Sequence, residues 1–330
     1  MRLPKPTLLV APMLLAACGG GGGGGGAAPL SSLVTIDSQN APTIAAAVMG
    51  TALDTEGLAG LGGLGLVPVA ANAKTTTLAM SKLGTIQQQQ TQLLKQRAQL
   101  GVLQAPIPEE TVPCAAGGTM TLSGNIANAG QLSAGDTLDF AFADCDQGDG
   151  AVINGVFGMS ITSFSGDLAS GMILVGIEVT VTGFEVADAS GTATMNGGIA
   201  MSMDFRDPVV TSITISTASL AVSDGATSHT LSDFSIVQIL DSSASVAYSL
   251  DVSGSLSSSQ FDGRVDFETT ATLQNDGGQY AFAGEVVISG ANGTTITVFV
   301  LSSQMVQLEI DLDGDGGADE TVTRTWAELS

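Results

Sequence analysis

The sequence is poor in positive charge and in histidine, and each shortage excludes a class of function. Only 9 residues are Lys or Arg, against 32 Asp or Glu, which gives a formal net charge of -23. Affinity for nucleic acid comes from Lys and Arg that neutralise phosphates, so this charge argues against a nucleic-acid partner. The single histidine leaves little room for a zinc hydrolase or a histidine-based proton relay.

Aromatic and charged residues are scarce as well. Charged residues make up 12% of the chain, whereas hydrophobic residues make up 44%. This balance favours β-structure with hydroxyl-rich outer faces over a charged helical bundle or a disordered acidic tail. The 11 Phe, 2 Tyr and 1 Trp are too few for the aromatic girdles of a membrane-spanning barrel. We therefore expect a sheet that faces water.

The first 17 residues have the layout of an export signal. Arg2 and Lys5 precede an apolar stretch from Thr7 to Leu15 that is too short to span a bilayer. The stretch ends in Leu15-Ala16-Ala17-Cys18, which resembles the lipobox of bacterial lipoprotein precursors. The resemblance implies cleavage before Cys18, a lipid with acyl chains such as palmitate on its thiol, and a membrane as partner. The alternative is an ordinary secretory peptide with a chance cysteine.

Residues 18–39 are predicted to tether the protein to that membrane. Gly19 to Gly26 is an unbroken glycine run, which behaves as a flexible chain. Because the lipoprotein resemblance associates Asp after the lipidated cysteine with inner-membrane retention, Gly19 favours the outer membrane of the bacterial cell envelope. The leaflet stays open.

The segment 40–112 is predicted to be helical and to pack on the sheet or plug it. Asn40 can cap a first helix that has Pro42 in its first turn. A second helix is expected from about Thr75 to Leu100, with Gly101 at the position of a C-terminal cap.

From residue 113 to residue 330 the apolar period changes to two. The alternation is clearest in one run of apolar residues separated by single positions: Ile173, Val175, Ile177, Val179 and Val181. About a dozen such runs, joined by Gly, Asp, Asn and Ser, indicate antiparallel strands with one apolar face. We predict a mainly β fold, a large antiparallel β-meander curled into a half-barrel, a roll or a barrel, with a small N-terminal helical segment.

Cys114 and Cys145 are predicted to form a disulfide. They are the only cysteines besides Cys18, and a pair of cysteines in an exported protein is usually oxidised to a disulfide. A hairpin that pairs residues 118–123 with residues 136–143 places the two cysteines opposite each other at its open end.

The densest acidic segment lies near the C terminus. Asp occupies positions 1, 3, 5 and 9 of a short segment, with Gly at position 6: Asp311, Asp313, Asp315, Asp319 and Gly316. The pattern resembles the calcium loops of EF-hands, dockerins and thrombospondin type-3 repeats, because alternate carboxylates on a tight loop converge on one point. Position 12 is Val322 rather than Glu, and the flanks are strand-like. A calcium loop and a plain solvent-exposed turn both remain open.

No motif indicates an enzyme. His229 lies beside Ser228 and four residues before Asp233, but the sequence contains no Gly-x-Ser-x-Gly elbow. Arg324 is expected on the inner face of the sheet, where burial would require a carboxylate partner. We therefore expect no catalytic residues and no certain cofactor. Calcium is one of the two alternatives for the loop at Asp311, and the lipid on Cys18 is covalent in the lipoprotein interpretation.

The whole pattern resembles the uncharacterised β-rich lipoproteins of proteobacteria, a resemblance that brings no established activity. We expect a non-enzymatic, membrane-anchored envelope lipoprotein with a structural or interaction role and an unidentified envelope protein as partner. The alternative is a carrier of lipid or another hydrophobic ligand in a helix-covered curled sheet. Its adaptable lining would be supplied by Met195, Met201 and Met203.

Overall fold

The computed structural model describes seven stretches of the chain, and all structural statements refer to them. They are residues 32–59 (without side chains for 52–59), 107–127, 133–167, 170–189, 191–243, 248–278 and 280–329. The predicted signal peptide, Cys18, the glycine run and the second predicted helix lie outside the described residues.

The described chain contains fourteen strands, two α-helices and a single turn of 3-10 helix at Ala291–Gly293. The α-helices are α1 (Ala41–Ala59) and α2 (Trp326–Leu329). The strands are β1 (Ile107–Pro113), β2 (Gly117–Asn125), β3 (Thr137–Asp146), β4 (Val152–Asp167), β5 (Met172–Asp188), β6 (Gly191–Asp204), β7 (Val210–Ser223), β8 (Ser228–Asp241), β9 (Tyr248–Ser258), β10 (Gly263–Asn275), β11 (Ala283–Ser289), β12 (Thr295–Val300), β13 (Met305–Asp311) and β14 (Glu320–Thr325).

All fourteen strands belong to one antiparallel sheet in sequence order, so the predicted β-meander is confirmed. Each strand pairs with the next one in the chain, and within the described residues β1 and β14 do not pair with each other. The sheet is therefore open rather than closed into a barrel. It begins at Ile107, so β1 occupies residues that the sequence pattern assigned to the helical segment 40–112.

One apolar core lies along one face of this sheet. In β6 the inward residues alternate with outward polar ones, as the period of two predicted. Helix α1 packs on the core face against β7, β9 and β12. Its buried stripe recurs every three to four residues: Ala41, Ile44, Ala45, Val48 and Met49.

Helix α1 begins where the sequence predicted, but its cap differs in detail. The Asn40 carbonyl accepts the Ile44 N–H at 2.9 Å, which starts the helix. The Asn40 side chain accepts from the Asp37 N–H at 2.9 Å and therefore faces away from the first turn. Asp37 in turn accepts the Asn40 N–H at 2.8 Å. The two side chains fix the bend that precedes α1.

The segment before α1 is held against the sheet by backbone hydrogen bonds. The Val34 N–H donates to the Arg264 carbonyl at 2.9 Å, at the start of β10. The Ala291 N–H donates to the Val34 carbonyl at 2.7 Å. The Ile36 N–H donates to Thr294 Oγ1 at 3.1 Å, in the turn between β11 and β12. These contacts position α1 on the core face.

The single tryptophan closes the core at the C-terminal end of the chain. Trp326 is 1% exposed and stacks on Tyr280, with ring centroids 5.4 Å apart. Its Nε1–H donates to the carbonyls of Ala281 and Ser302, at 3.1 Å and 3.2 Å. Helix α2 then packs against α1, so the two ends of the described chain meet.

The predicted disulfide between Cys114 and Cys145 is confirmed, with the two Cα atoms 5.4 Å apart. The hairpin that was expected to bring them together is also present. Thr119 pairs with Ala143 and Ser123 pairs with Asp139, within the ranges that the sequence indicated.

The outward face of the sheet is polar. In β10, Arg264, Asp266 and Glu268 point outward, while Val265 and Phe267 between them are buried. Arg264 Nε lies 3.2 Å from an Asp266 oxygen on this face. Neither helix in the described stretches is long and apolar enough to cross a membrane.

Gly290 provides a test of how the segment before α1 docks. A Cβ at Gly290 would lie 2.6 Å from the Val34 carbonyl oxygen and 2.8 Å from Ile36 Cγ1. We expect Gly290→Ala to lower the free energy of unfolding by about 1 to 3 kcal/mol, because the crowded segment must shift. Urea denaturation measures the change.

Gly198→Ala is the matched control, because a Cβ there meets nothing closer than 3.8 Å. We expect it to be neutral, or to stabilise by up to about 1 kcal/mol by restricting the unfolded chain. An equal decrease in the free energy of unfolding in both variants would show that the segment before α1 is not docked tightly at Gly290.

Candidate functional site

The candidate site is the loop that joins β13 to β14. Ile310 and Glu320 form the last pair of the two strands, and the acidic loop projects beyond them. The hairpin predicted as the plain alternative is therefore present. Whether its acids also form a cation site depends on how the carboxylates are arranged.

Asp311 organises the loop from its base. It is 5% exposed, and its two oxygens accept the N–H groups of Gly314 at 2.7 Å and Gly316 at 2.8 Å. Both glycines have φ in the left-handed region, at 77° and 87°, where a side chain would be strained. The two glycines thus let the backbone fold around the Asp311 carboxylate.

Asp311 is ionised at neutral pH. Burial of its carboxyl raises the pKa, and hydrogen bonds from backbone N–H groups of the loop lower it by more, so the pKa lies below its usual value. The donors are Gly316, Gly314, Asp313 and Asp315. The loop therefore contains a fixed negative charge at its base.

Asp313 and Asp315 bring two further carboxylates to the same place. One oxygen from each of Asp311, Asp313 and Asp315 lies within 4.8 Å of the other two. Asp313 and Asp315 are exposed, and each accepts one further N–H in the loop. Three carboxylates at this spacing repel one another, and an oxygen-preferring cation such as calcium would relieve that repulsion.

Asp319 has a different role from the one that the sequence pattern indicated. Its Oδ2 accepts the Leu312 N–H at 2.8 Å, and its own N–H donates to the Ile310 carbonyl at 2.9 Å. These bonds close the loop against the end of β13. Asp319 is not in the group of three, so three of the four predicted ligands come together.

The loop rests on a second turn, which the sequence pattern did not reveal. A Cβ at Gly314 would lie 2.5 Å from the Asn292 carbonyl oxygen and 3.1 Å from the carbonyl carbon of Gly293. Asn292 is itself left-handed, with φ of 59°, in the turn between β11 and β12. Only the pairing of β12 with β13 brings the two turns together, so no local signal could have indicated the contact.

A shorter acidic stretch, which contains Asp144, Asp146 and Asp149, lies beside Cys145 of the disulfide and forms a hydrogen-bonded polar turn. Asp146 accepts the Gly148 N–H at 2.7 Å, and Asp149 accepts the Ala151 N–H at 3.1 Å. Over the described ranges, only the Asp311 group has three acidic, histidine or cysteine side chains close enough to share a metal ion.

His229 is not held as a catalytic base. It is half-buried, and burial lowers its pKa more than the charge of Asp224 raises it, so the ring is neutral at pH 7. Its Nδ1 has no hydrogen-bond partner among the described residues. No hydrogen bond from a described residue orients the ring toward Ser228 in the manner of a triad.

Arg324 lies on the core side of β14, as predicted, but it is not buried. It pairs with the buried Val306 of β13, yet its own side chain is half-exposed. Its guanidinium donates to the Thr323 carbonyl at 3.3 Å. The carboxylate partner that burial would have required is therefore not needed, because the edge of the sheet leaves the charge in contact with water.

Comparison with known proteins assigns no family. No protein-family model, no curated protein and no solved structure matches the chain. The functional conclusion therefore depends on the sequence of the first residues and on the geometry of the sheet and its loop.

Proposed function

We propose that the chain is a lipid-anchored protein of the bacterial cell envelope with a non-enzymatic, structural or interaction role. The observation that carries the proposal is Leu15-Ala16-Ala17-Cys18 directly after a charged start and a short apolar stretch. In this proposal Cys18 carries the lipid, and Gly19 directs the protein to the outer membrane.

The number of residues between Cys18 and the sheet supports a role as a tethered domain. There are 14 residues from 18 to 31, before the docked segment that begins at Ser32, and a glycine-rich chain of that length has a mean end-to-end distance of about 20 Å. The net charge of -23 is repelled by anionic headgroups, so the acyl chains and not electrostatic attraction would hold the protein at the membrane.

Lipidation is tested in a bacterial host that is fed labelled palmitate. We expect the full chain to incorporate the label and to partition into the detergent phase. Cys18→Ser should abolish both, because it removes the acceptor thiol. Gly19→Asp is the matched variant: it keeps Cys18 and should keep the label while moving the protein to the inner-membrane fraction. Labelling that survives Cys18→Ser would contradict the proposal.

We also propose that the Asp311 loop binds calcium and thereby stabilises the C-terminal hairpin. What supports it is the convergence of three carboxylates within 4.8 Å over a loop already folded around the ionised Asp311. The missing acidic ligand at Val322 favours weak binding, in the range of extracellular calcium modules.

A calcium titration of the melting temperature tests this loop. At calcium 10 to 100 times its dissociation constant, we expect a stabilisation of about 1.4 to 2.7 kcal/mol and a rise of several degrees. The double variant Asp313→Asn/Asp315→Asn should lose the rise. Asp262→Asn, which removes an exposed charge elsewhere, should keep it. An unchanged melting temperature at about 10 mM calcium, ten times the weakest binding expected, leaves the loop a plain turn.

A carrier of a hydrophobic ligand is a second candidate, favoured by two polar atoms on the core face. Gln238 is 5% exposed and Thr217 is 7% exposed. Gln238 Oε1 and Thr217 Oγ1 have no hydrogen-bond partner in the described part of the chain. A buried polar atom without a partner is destabilising, and a ligand with a hydroxyl or amide group would supply the missing bonds. Met195, Met201 and Met203, each at most 3% exposed, lie in the same core.

Native mass spectrometry of the purified full chain tests the carrier function. A carrier should retain a co-purified small molecule, and Gln238→Leu should reduce the bound fraction because it removes the acceptor. Gln304→Leu, an exposed site, is the control and should leave that fraction unchanged. Protein that is free of ligand after gentle purification would remove this candidate.

A further inference from the structure

The last strand of the sheet, β14, has a partner on only one side within the described part of the chain. Its neighbour in the sheet order is β13, and no other described strand pairs with it. The Trp326 N–H donates to the Gln304 carbonyl at 3.1 Å, in register with the pairing of Thr325 and Met305. Because antiparallel residues alternate sides, Thr321, Thr323 and Thr325 direct their backbone groups to the open side.

On this open side, the N–H groups of two residues have no hydrogen-bond acceptor among the described residues. The Thr325 N–H donates to Glu328 Oε2 at 2.7 Å, so it is already paired. For the N–H groups of Thr321 and Thr323, no acceptor is found among the described residues. The edge of β14 therefore presents the donors and acceptors of one more antiparallel strand.

The opposite edge of the sheet is protected against such pairing. Strand β1 contains Pro108 and Pro113, which have no N–H, together with Glu109 and Glu110. Prolines and charges on an edge strand are devices that prevent edge-to-edge association. Strand β14 contains no proline, so the two edges of this sheet differ in their capacity to accept a partner.

The side chains of β14 are complementary to a second copy of the same strand. Glu320, Val322 and Arg324 share the core-side face, because they pair with Ile310, Leu308 and Val306. All three are half-exposed where that face ends, and Val322 packs against the core.

An antiparallel copy centred on Val322 would place Val322 opposite its equivalent. In this register each Glu320 faces the Arg324 of the other copy, twice by symmetry. Thr321 of each copy lies opposite Thr323 of the other copy. Their backbone groups point toward this edge and form four hydrogen bonds between the two copies. Opposite charges directly across two strands stabilise the pair, whereas like charges destabilise it. A shift by one or two residues would lose the charge pairing, so the charges specify this register.

We propose that a second copy of this chain docks on β14 and forms a two-fold dimer whose sheet continues from one copy into the other. The inference goes beyond the proposed envelope role and does not depend on the lipid. A Cys18→Ser chain, which has no acceptor for lipid, should dimerise as well as the original chain.

Charge exchange is the first test. The full chain is purified from the cell fraction that contains it. Its molar mass is then measured by light scattering over a range of protein concentrations. We expect a dimer that dissociates on dilution. Glu320→Arg and Arg324→Glu should each raise the dissociation constant by about tenfold, because each places two like-charge pairs across the axis. The double variant Glu320→Arg/Arg324→Glu restores opposite charges and should return the constant to within about threefold.

Glu268→Arg is the matched charge control, because it makes the same change on the exposed outer face of β10. It should leave the dissociation constant unchanged. A chain that is monomeric at every concentration overturns the proposal. A dimer whose dissociation constant is the same in both single variants as in the original chain also overturns it. If the double variant keeps a raised dissociation constant although its melting temperature is unchanged, the proposed register is wrong.

Oxidative cross-linking is the second test, and it does not require the charges to be altered. Val322→Cys places the two thiols on the two-fold axis at a non-hydrogen-bonded position, where Cα atoms lie about 4.5 Å apart and a disulfide can form. We expect a covalent dimer on a non-reducing gel. Leu301→Cys, at a residue that is 53% exposed, should give none beyond that of the original chain. Equal cross-linking at both positions would contradict a specific edge.

Discussion

The structure depends on burying one apolar face of a sheet that contains fourteen strands. Each strand contributes alternate residues to that face, so the face grows with every strand added. Burial of apolar area contributes about 25 cal/mol per Å², which makes covering it the dominant requirement of the fold. Helix α1 covers part of it, and the backbone bonds of Val34 fix where α1 lies. Trp326 closes the end at which α2 meets α1.

The same requirement explains why the regions with functional capacity lie at the end of the sheet. Strand β14 is the last strand of the described core face, so Val322 and Arg324 remain half-exposed, and some of its backbone groups have no partner among the described residues. The acidic loop enters this strand and is braced by the turn at Asn292. A cation at Asp311 and a second copy at β14 would therefore act on one hairpin. The proposed lipid on Cys18 would be attached near the start of the sequence.

Much of the fold was predictable because strand periodicity is a local property. The alternation at Ile173 to Val181 predicted a strand with one buried face, and Cys114 with Cys145 predicted a disulfide across a hairpin, and both predictions are confirmed. The predicted boundary between the helical segment and the sheet, at residue 113, was less accurate, because the sheet begins at Ile107. Pro108 and two glutamates interrupt the apolar alternation there, so the sequence pattern did not indicate this edge strand. Asp319 was predicted as a ligand from spacing alone, but spacing does not show which backbone N–H a carboxylate accepts.

The sequence by itself determined the strand count to within a few, the polar outer face, the disulfide and the grouping of acids at residues 311–315. These depend on residues that are close in the chain or, for the cysteines, on a single hairpin. Only the tertiary structure decided that the sheet is open, that the acidic loop rests on Asn292, and that Arg324 stays in water. The physical reason is that each depends on pairing between strands and on where the core face ends. Local periodicity does not encode where a sheet ends.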